Sequence, residues 1–103
     1  MSERRVVITG LGVVTPLGSD VESVWKSLLA GQSGIGPITR FDTTNFDCKI
    51  GGEAKEFEPG SFMPVKDLRR TDRFAQFAVV ASKKAVADSG LEMSKEEIGR
   101  AHV

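Results

Sequence analysis

The 103-residue chain has no tyrosine, one tryptophan, one cysteine (Cys48) and one histidine (His102). A single cysteine excludes an internal disulfide, and one cysteine with one histidine cannot close a zinc site. Net charge is missing as well. Fourteen Lys and Arg balance fourteen Asp and Glu, so the whole-chain field gives no reason to expect nucleic acid or an anionic membrane as a partner. Any charged partner must be met by a local patch. Nor is there a long apolar run: Met-Ser-Glu-Arg-Arg is followed by a short one that ends at Gly10. That run is too short for a signal peptide or a membrane span, which makes the cytosol the expected compartment. What is present, 40% apolar and 27% charged residues, is the composition of an ordinary globular protein with one modest core.

The stretch "RVVITGLGVVTPLGSD" begins with Val6, Val7 and Ile8, a continuous β-branched run that predicts a central strand covered on both faces. After the Gly and Pro corner, Ser19-Asp20-Val21-Glu22 reads as a capping box with Ser19 as the cap. Val21, Val24, Trp25, Leu28 and Leu29 then recur at helical spacing, and Gly31 stands where a left-handed cap would end the helix. Gln32 to Asp47 reads as an irregular connection, and Cys48 to Ala54 as a short strand weakened by Gly51-Gly52. A helical turn follows Pro64 over Val65 to Thr71. In Asp72 to Asp88, Phe74, Phe77, Ala78, Ala81 and Ala85 form one stripe, while Val79, Val80 and Val86 make much of the remaining surface apolar. This predicts a helix buried on most sides and ended by Ser89-Gly90. Leu91 to Glu97 continues as polar loop or helix start.

Three features invite a chemical reading. Gly10 and Gly12 suggest a nucleotide-binding turn, but a dinucleotide fingerprint needs its third small residue already inside the helix, and a phosphate-cradling loop needs a lysine before Ser or Thr. Here Thr15 and Pro16 intervene and Gly18 precedes Ser19 directly, so the glycines read as a corner allowing close backbone packing. Cys48 lies between Asp47 and Lys49 with no histidine nearby and no helix N-terminus to activate it, so it reads as a small, half-buried side chain. Lys66, Arg69 and Arg70 fall at i, i+3 and i+4, with Arg73 one turn further along. This is either a solvated charged face or a dock for an acidic partner, which would steer association more than it would add affinity.

Taken together, "RRVVITGLGVVTPLGSDVESVWKSLLAGQSGIGPITRFD", "KIGGEAKEF" and "RRTDRFAQFAVVASKKAVADSGLE" closely resemble the N-terminal segment of the β-ketoacyl-acyl-carrier-protein synthases, and specifically the type II elongation enzymes of bacterial fatty-acid synthesis. Related chain-length-determining subunits and polyketide ketosynthases share parts of the pattern. The resemblance covers residues 1 to about 97. It implies an α/β thiolase-like fold of α-β-α-β-α layers, of which the chain is an incomplete N-terminal part, in a cytoplasmic, homodimeric enzyme. The implied reaction is a decarboxylative Claisen condensation. A cysteine takes an acyl chain from acyl carrier protein as a thioester, two histidines assist decarboxylation of malonyl on a second carrier, and the resulting carbanion equivalent attacks the acyl-enzyme. No organic cofactor and no metal is needed.

On this resemblance the catalytic cysteine and both histidines lie beyond residue 103, Cys48 matches no catalytic position, and the chain alone is expected to be inactive. The family's carrier-docking helix does match, with basic residues at Lys66, Arg69 and Arg70, which favours the docking reading of that face. The expected partners are therefore acyl- and malonyl-loaded carrier protein, with no nucleic acid and no membrane. A different class of function, a stand-alone module holding an acidic protein on the Lys66 face, remains the alternative. After Glu97 the pattern breaks: "IGRAHV", written back as ATC GGA AGA GCA CAC GTC, resembles a translated sequencing adapter. Residues 98–103 are thus expected to be a non-native tail, which removes His102 from functional consideration.

Overall fold

The computed structural model describes residues 3–92. The expected tail over 98–103 lies outside the described residues, as does most of the segment expected to follow Leu91.

Helix α3, Arg73–Ser89, carries the glycine segment around Gly10 and Gly12 on one face and the Phe57–Phe77 contact on another. Asp72 precedes it in extended conformation, and Gly90 closes it at φ 71°, its N–H donating to the Ala87 carbonyl. Glycine suits this left-handed cap because it has no Cβ to clash. The buried apolar residues are Val80 of α3 and, outside the helix, Phe57 and Met63. The Phe57 and Phe77 rings meet edge to face with centroids 4.8 Å apart, a geometry that adds to plain area burial.

On another face of α3 lies the segment around Gly10 and Gly12. A Cβ on Gly10 would lie 2.6 Å from the Ser89 amide nitrogen, and one on Gly12 would overlap the Ala81 carbonyl oxygen. The Leu11 N–H donates to the Asp88 carboxylate at 2.9 Å, fixing the register of the segment along the helix. The expected close-packing role of these glycines is therefore observed. The change of direction comes later, at Thr15–Gly18, where the two residues exchange backbone hydrogen bonds of 2.9 and 3.1 Å and Gly18 takes φ 145°.

Helix α1 spans Val21–Leu29. Its cap is Asp20, whose carboxylate accepts from the Ser23 N–H and hydroxyl, both at 3.1 Å. The cap thus falls one residue later than expected, both bonds running to the Asp20 carboxylate, and the Ser19 hydroxyl is buried with no hydrogen-bond partner among the described residues. Lys84 of α3 donates to the Ser19 carbonyl and so engages that residue through its backbone. The helix ends as expected: Gly31, at φ 71°, donates to Leu28 and Gln32 donates to Ser27, the paired bonds of a Schellman motif.

Two strands, β1 (Ile35–Pro37) and β2 (Ile50–Gly52), pair antiparallel with Ile35 opposite Gly52. β2 falls inside the strand expected over 48–54. β1 was expected to be irregular, because Gly36 and Pro37 are poor strand formers; proline is tolerated here because the pair is a two-stranded ribbon whose outer edges need no donor. A single 3₁₀ turn, Pro59–Ser61, leads to α2, Val65–Leu68, which starts directly after Pro64 as expected.

Two further expectations need correction. Val6, Val7 and Ile8 form no ladder with any described residue and are 93%, 67% and 83% exposed. Their composition suits a central strand, but a strand exists only where neighbours supply hydrogen bonds, and none of the described residues does so. For the same reason α3 is apolar on most sides yet buries only Val80 fully, leaving Phe74 74% exposed.

Candidate functional site

The basic turn is built on α2. Pro64 presets the extended entry, and the helix runs through Leu68 with Arg69 still in helical geometry, its N–H donating to Val65 at 3.1 Å. Arg70 donates to Asp67 in a tightened last turn. The turn is tied to α3 by Gln76, whose side-chain amide donates to the Leu68 and Thr71 carbonyls, each at 3.2 Å. Within the turn, the Thr71 hydroxyl donates to the Asp67 carbonyl at 2.8 Å. Lys66, Arg69 and Arg70 are all exposed, and their side chains hydrogen-bond to no described residue. Three cations therefore stand free on a turn whose backbone is pinned from behind, as a charged docking surface requires.

Arg73 does not share that face. It opens α3, turns inward, donates to the Ala54 carbonyl at 3.0 Å, and places its guanidinium 5.1 Å from the Phe57 centroid and 5.4 Å from that of Phe77. Burial lowers its pKa, and the positive charge of Arg40 lowers it further. The spacing of basic residues could not separate Arg73 from the other three. What turns Arg73 inward is the Ala54 carbonyl and the Phe57 ring, contributed by a segment far from it in the chain. Gln76 was missed entirely, since a glutamine inside an apolar helix carries no sequence mark of what it bonds.

Cys48 is exposed, not half-buried, and its Sγ lies 3.3 Å from the Ile50 carbonyl. It projects from the loop before β2, where no packed layer covers it, and no imidazole among the described residues could activate it. The glycine segment faces the body of α3, not a helix N-terminus, and the N-terminus of α1 is already occupied by the Asp20 carboxylate. No nucleotide phosphate site is formed there. A cleft of about 590 Å³ separates this segment from the start of α1, but the two charged α3 residues that line it, Lys84 and Asp88, already hold backbone groups of Ser19 and Leu11. Among the described residues no set of three His, Cys, Asp or Glu side chains could hold a metal ion, and no helix is long and apolar enough to cross a membrane.

The profile of the β-ketoacyl synthase N-terminal domain matches residues 3–102, reaching into the expected tail. The chain is 48% identical over 103 residues to 3-oxoacyl-[acyl-carrier-protein] synthase 2 of Coxiella burnetii, covering 100% of this chain and 25% of the relative. Against the Vibrio cholerae protein of the same name it is 50% identical over 100 residues, covering 97% and 24%. A solved structure, the ishigamide ketosynthase/chain length factor, superposes with a TM-score of 0.78 at 43% identity over 90% of this chain and 23% of that one. The chain thus spans about a quarter of the length of the curated relatives it matches. With α1 and α3, the β1–β2 ribbon and the glycine segment seated on α3 all in place, the described residues form part of an α/β ketosynthase fold, and the chain belongs to the β-ketoacyl synthase family, within its N-terminal domain.

Proposed function

We propose that this chain is the N-terminal portion of a 3-oxoacyl-[acyl-carrier-protein] synthase with the layered α-β-α-β-α thiolase-like architecture, acting as a cytoplasmic homodimer. Its reaction is the decarboxylative condensation of an enzyme-bound acyl thioester with malonyl-acyl carrier protein. The observation that carries the reading is identity of 48% and 50%, over all or nearly all of the chain, to two proteins named for that activity.

Within such an enzyme the described residues contribute scaffold and recognition. The glycine segment packs backbone to backbone on α3, and the exposed Lys66, Arg69 and Arg70 turn receives the acidic carrier protein. The condensation itself is assigned to a cysteine and two histidines outside this chain, with Cys48 taking no part. The test is incubation of the full-length gene product with a saturated acyl-carrier donor and malonyl-carrier protein. A β-ketoacyl product two carbons longer, with release of carbon dioxide, is expected; no condensation with any acyl donor would overturn the proposal.

A second reading, a polyketide-type ketosynthase, is favoured by one observation, the 43% identity to the ishigamide ketosynthase/chain length factor. Condensation with unsaturated or unreduced donors alone, and none with saturated ones, would select it.

A further inference from the structure

Beside the ribbon, a cleft of about 210 Å³ is lined by Thr39, Arg40, Glu53, Ala54, Lys55 and Arg73. Three cationic side chains from separate segments meet one carboxylate here. The carboxylate is already committed: Glu53 accepts from the Thr39 N–H at 3.0 Å, the Thr39 hydroxyl at 2.8 Å and the Arg40 N–H at 3.1 Å. Arg73 is held in place by Ala54, Phe57 and Phe77, while the side chains of Arg40 and Lys55 hydrogen-bond to no described residue. Formal charges of three cations and one anion leave the cleft at +2, with donors unfilled.

We propose that this cleft is an oxyanion-binding site for a phosphate group, in which Arg40 and Lys55 supply mobile donors and Arg73 a fixed one. Phosphate is favoured over a carboxylate because a dianion matches the residual charge and presents enough oxygens for three cationic donors. The cleft volume admits one such group. The lowered pKa of Arg73, caused first by burial and then by Arg40, shows the two guanidinium groups within electrostatic reach of each other. Glu53 serves the site by ordering the Thr39–Arg40 backbone, and a phosphate would leave its hydrogen bonds intact. The inference does not depend on the condensation proposed above.

The test is titration of the full-length protein with inorganic phosphate at constant ionic strength, followed by calorimetry and by amide shifts of Thr39, Arg40 and Ala54. Saturable binding, weakened about tenfold or more in Arg40→Ala/Lys55→Ala, is expected, since loss of charge-assisted bonds worth ~1.4 kcal/mol changes affinity tenfold. Both substitutions are on exposed side chains, so folding is preserved even if Arg73→Ala disturbs the Phe57–Phe77 pair. Absence of saturable binding, unchanged binding in the double variant, or acetate binding as tightly as phosphate would each overturn the proposal. A free phosphate and a phosphate ester are distinguished by repeating the titration with methyl phosphate: tighter binding of the ester identifies a site for phosphorylated ligands, and tighter binding of the free ion identifies an inorganic phosphate site.

Discussion

A β-carbon placed on Gly12 would lie 2.7 Å from the amide nitrogen of Ala85. The first apolar segment therefore touches α3 backbone to backbone, and no side chain at Gly12 can be accommodated by repacking alone. Gly12→Ala is expected to lower unfolding stability by about 2 kcal/mol or more, in the range of core overpacking. Gly60, which would meet nothing within 4 Å, is the control, and Gly60→Ala should leave the denaturant midpoint nearly unchanged. Equal effects of the two substitutions would refute the contact.

The caps of α1 separate two adjacent residues. Asp20→Ala removes the acceptor for Ser23 and should cost about 1 kcal/mol. Ser19→Ala removes a buried hydroxyl that bonds to no described residue and should be neutral or stabilising. Chemical denaturation of both variants checks the assignment, and the reverse order would restore the Ser19 capping box.

Hydrogen bonds from the Thr39 hydroxyl, and then from the Thr39 and Arg40 backbone, outweigh the effect of burial and hold the Glu53 carboxyl below the usual glutamate range. A depressed folded-state pKa contributes stability above the unfolded-state pKa and loses it as pH falls through the folded value. Wild-type protein should therefore exceed Glu53→Gln in stability at neutral pH, with the gap closing below the ordinary glutamate range. A gap that persists at low pH would contradict this account.

Charge reversal at Lys66, Arg69 and Arg70 should raise KM for carrier-bound substrate about tenfold and spare small thioester analogues, since exposed ion pairs contribute ~0.2–1 kcal/mol each. The penalty should shrink as salt is added, because exposed charges are screened. Equal loss on both substrate types would argue against a dock.

Cys48 is exposed, so a maleimide should label it stoichiometrically in the folded protein. On the proposed function, Cys48→Ser in the full-length protein should condense at the rate of the unsubstituted protein. Loss of activity in that variant would overturn the assignment of the nucleophile to another cysteine.

Much of this organisation is readable from local chemistry. Gly31 and Gly90 end helices because a left-handed residue is needed there, and Pro64 starts α2 because its backbone is preset; such rules act over a few residues and survive any surroundings. Gly10 and Gly12 fail the nucleotide spacing for reasons visible in the sequence, and the structure then shows what they accommodate. The α2 turn with Lys66, Arg69 and Arg70 is equally legible as three charges on one helical turn. What was illegible depends on distant partners. Whether Val6–Ile8 becomes a hydrogen-bonded strand, whether Arg73 turns inward, and which of Ser19 and Asp20 caps α1 are decided by segments far away in the chain. The cleft of Arg40, Lys55 and Arg73 draws on three separate segments, so no single window of sequence displays it.

The Leu11–Asp88 hydrogen bond joins residues 77 positions apart, and this separation has a bearing on synthesis. At ribosomal rates of about 5–20 residues per second, Val6–Ile8 waits roughly 4–15 s after it is made before the end of α3 has even been polymerised. During that interval three consecutive β-branched residues are unprotected on a nascent chain, ahead of two glycines that cannot stiffen it. Arg4 and Arg5, placed directly before this run, are the kind of charged flank that discourages strand pairing between neighbouring chains, a safeguard that still matters after α3 is made, because the helix covers Gly10 and Gly12 and leaves Val6–Ile8 exposed.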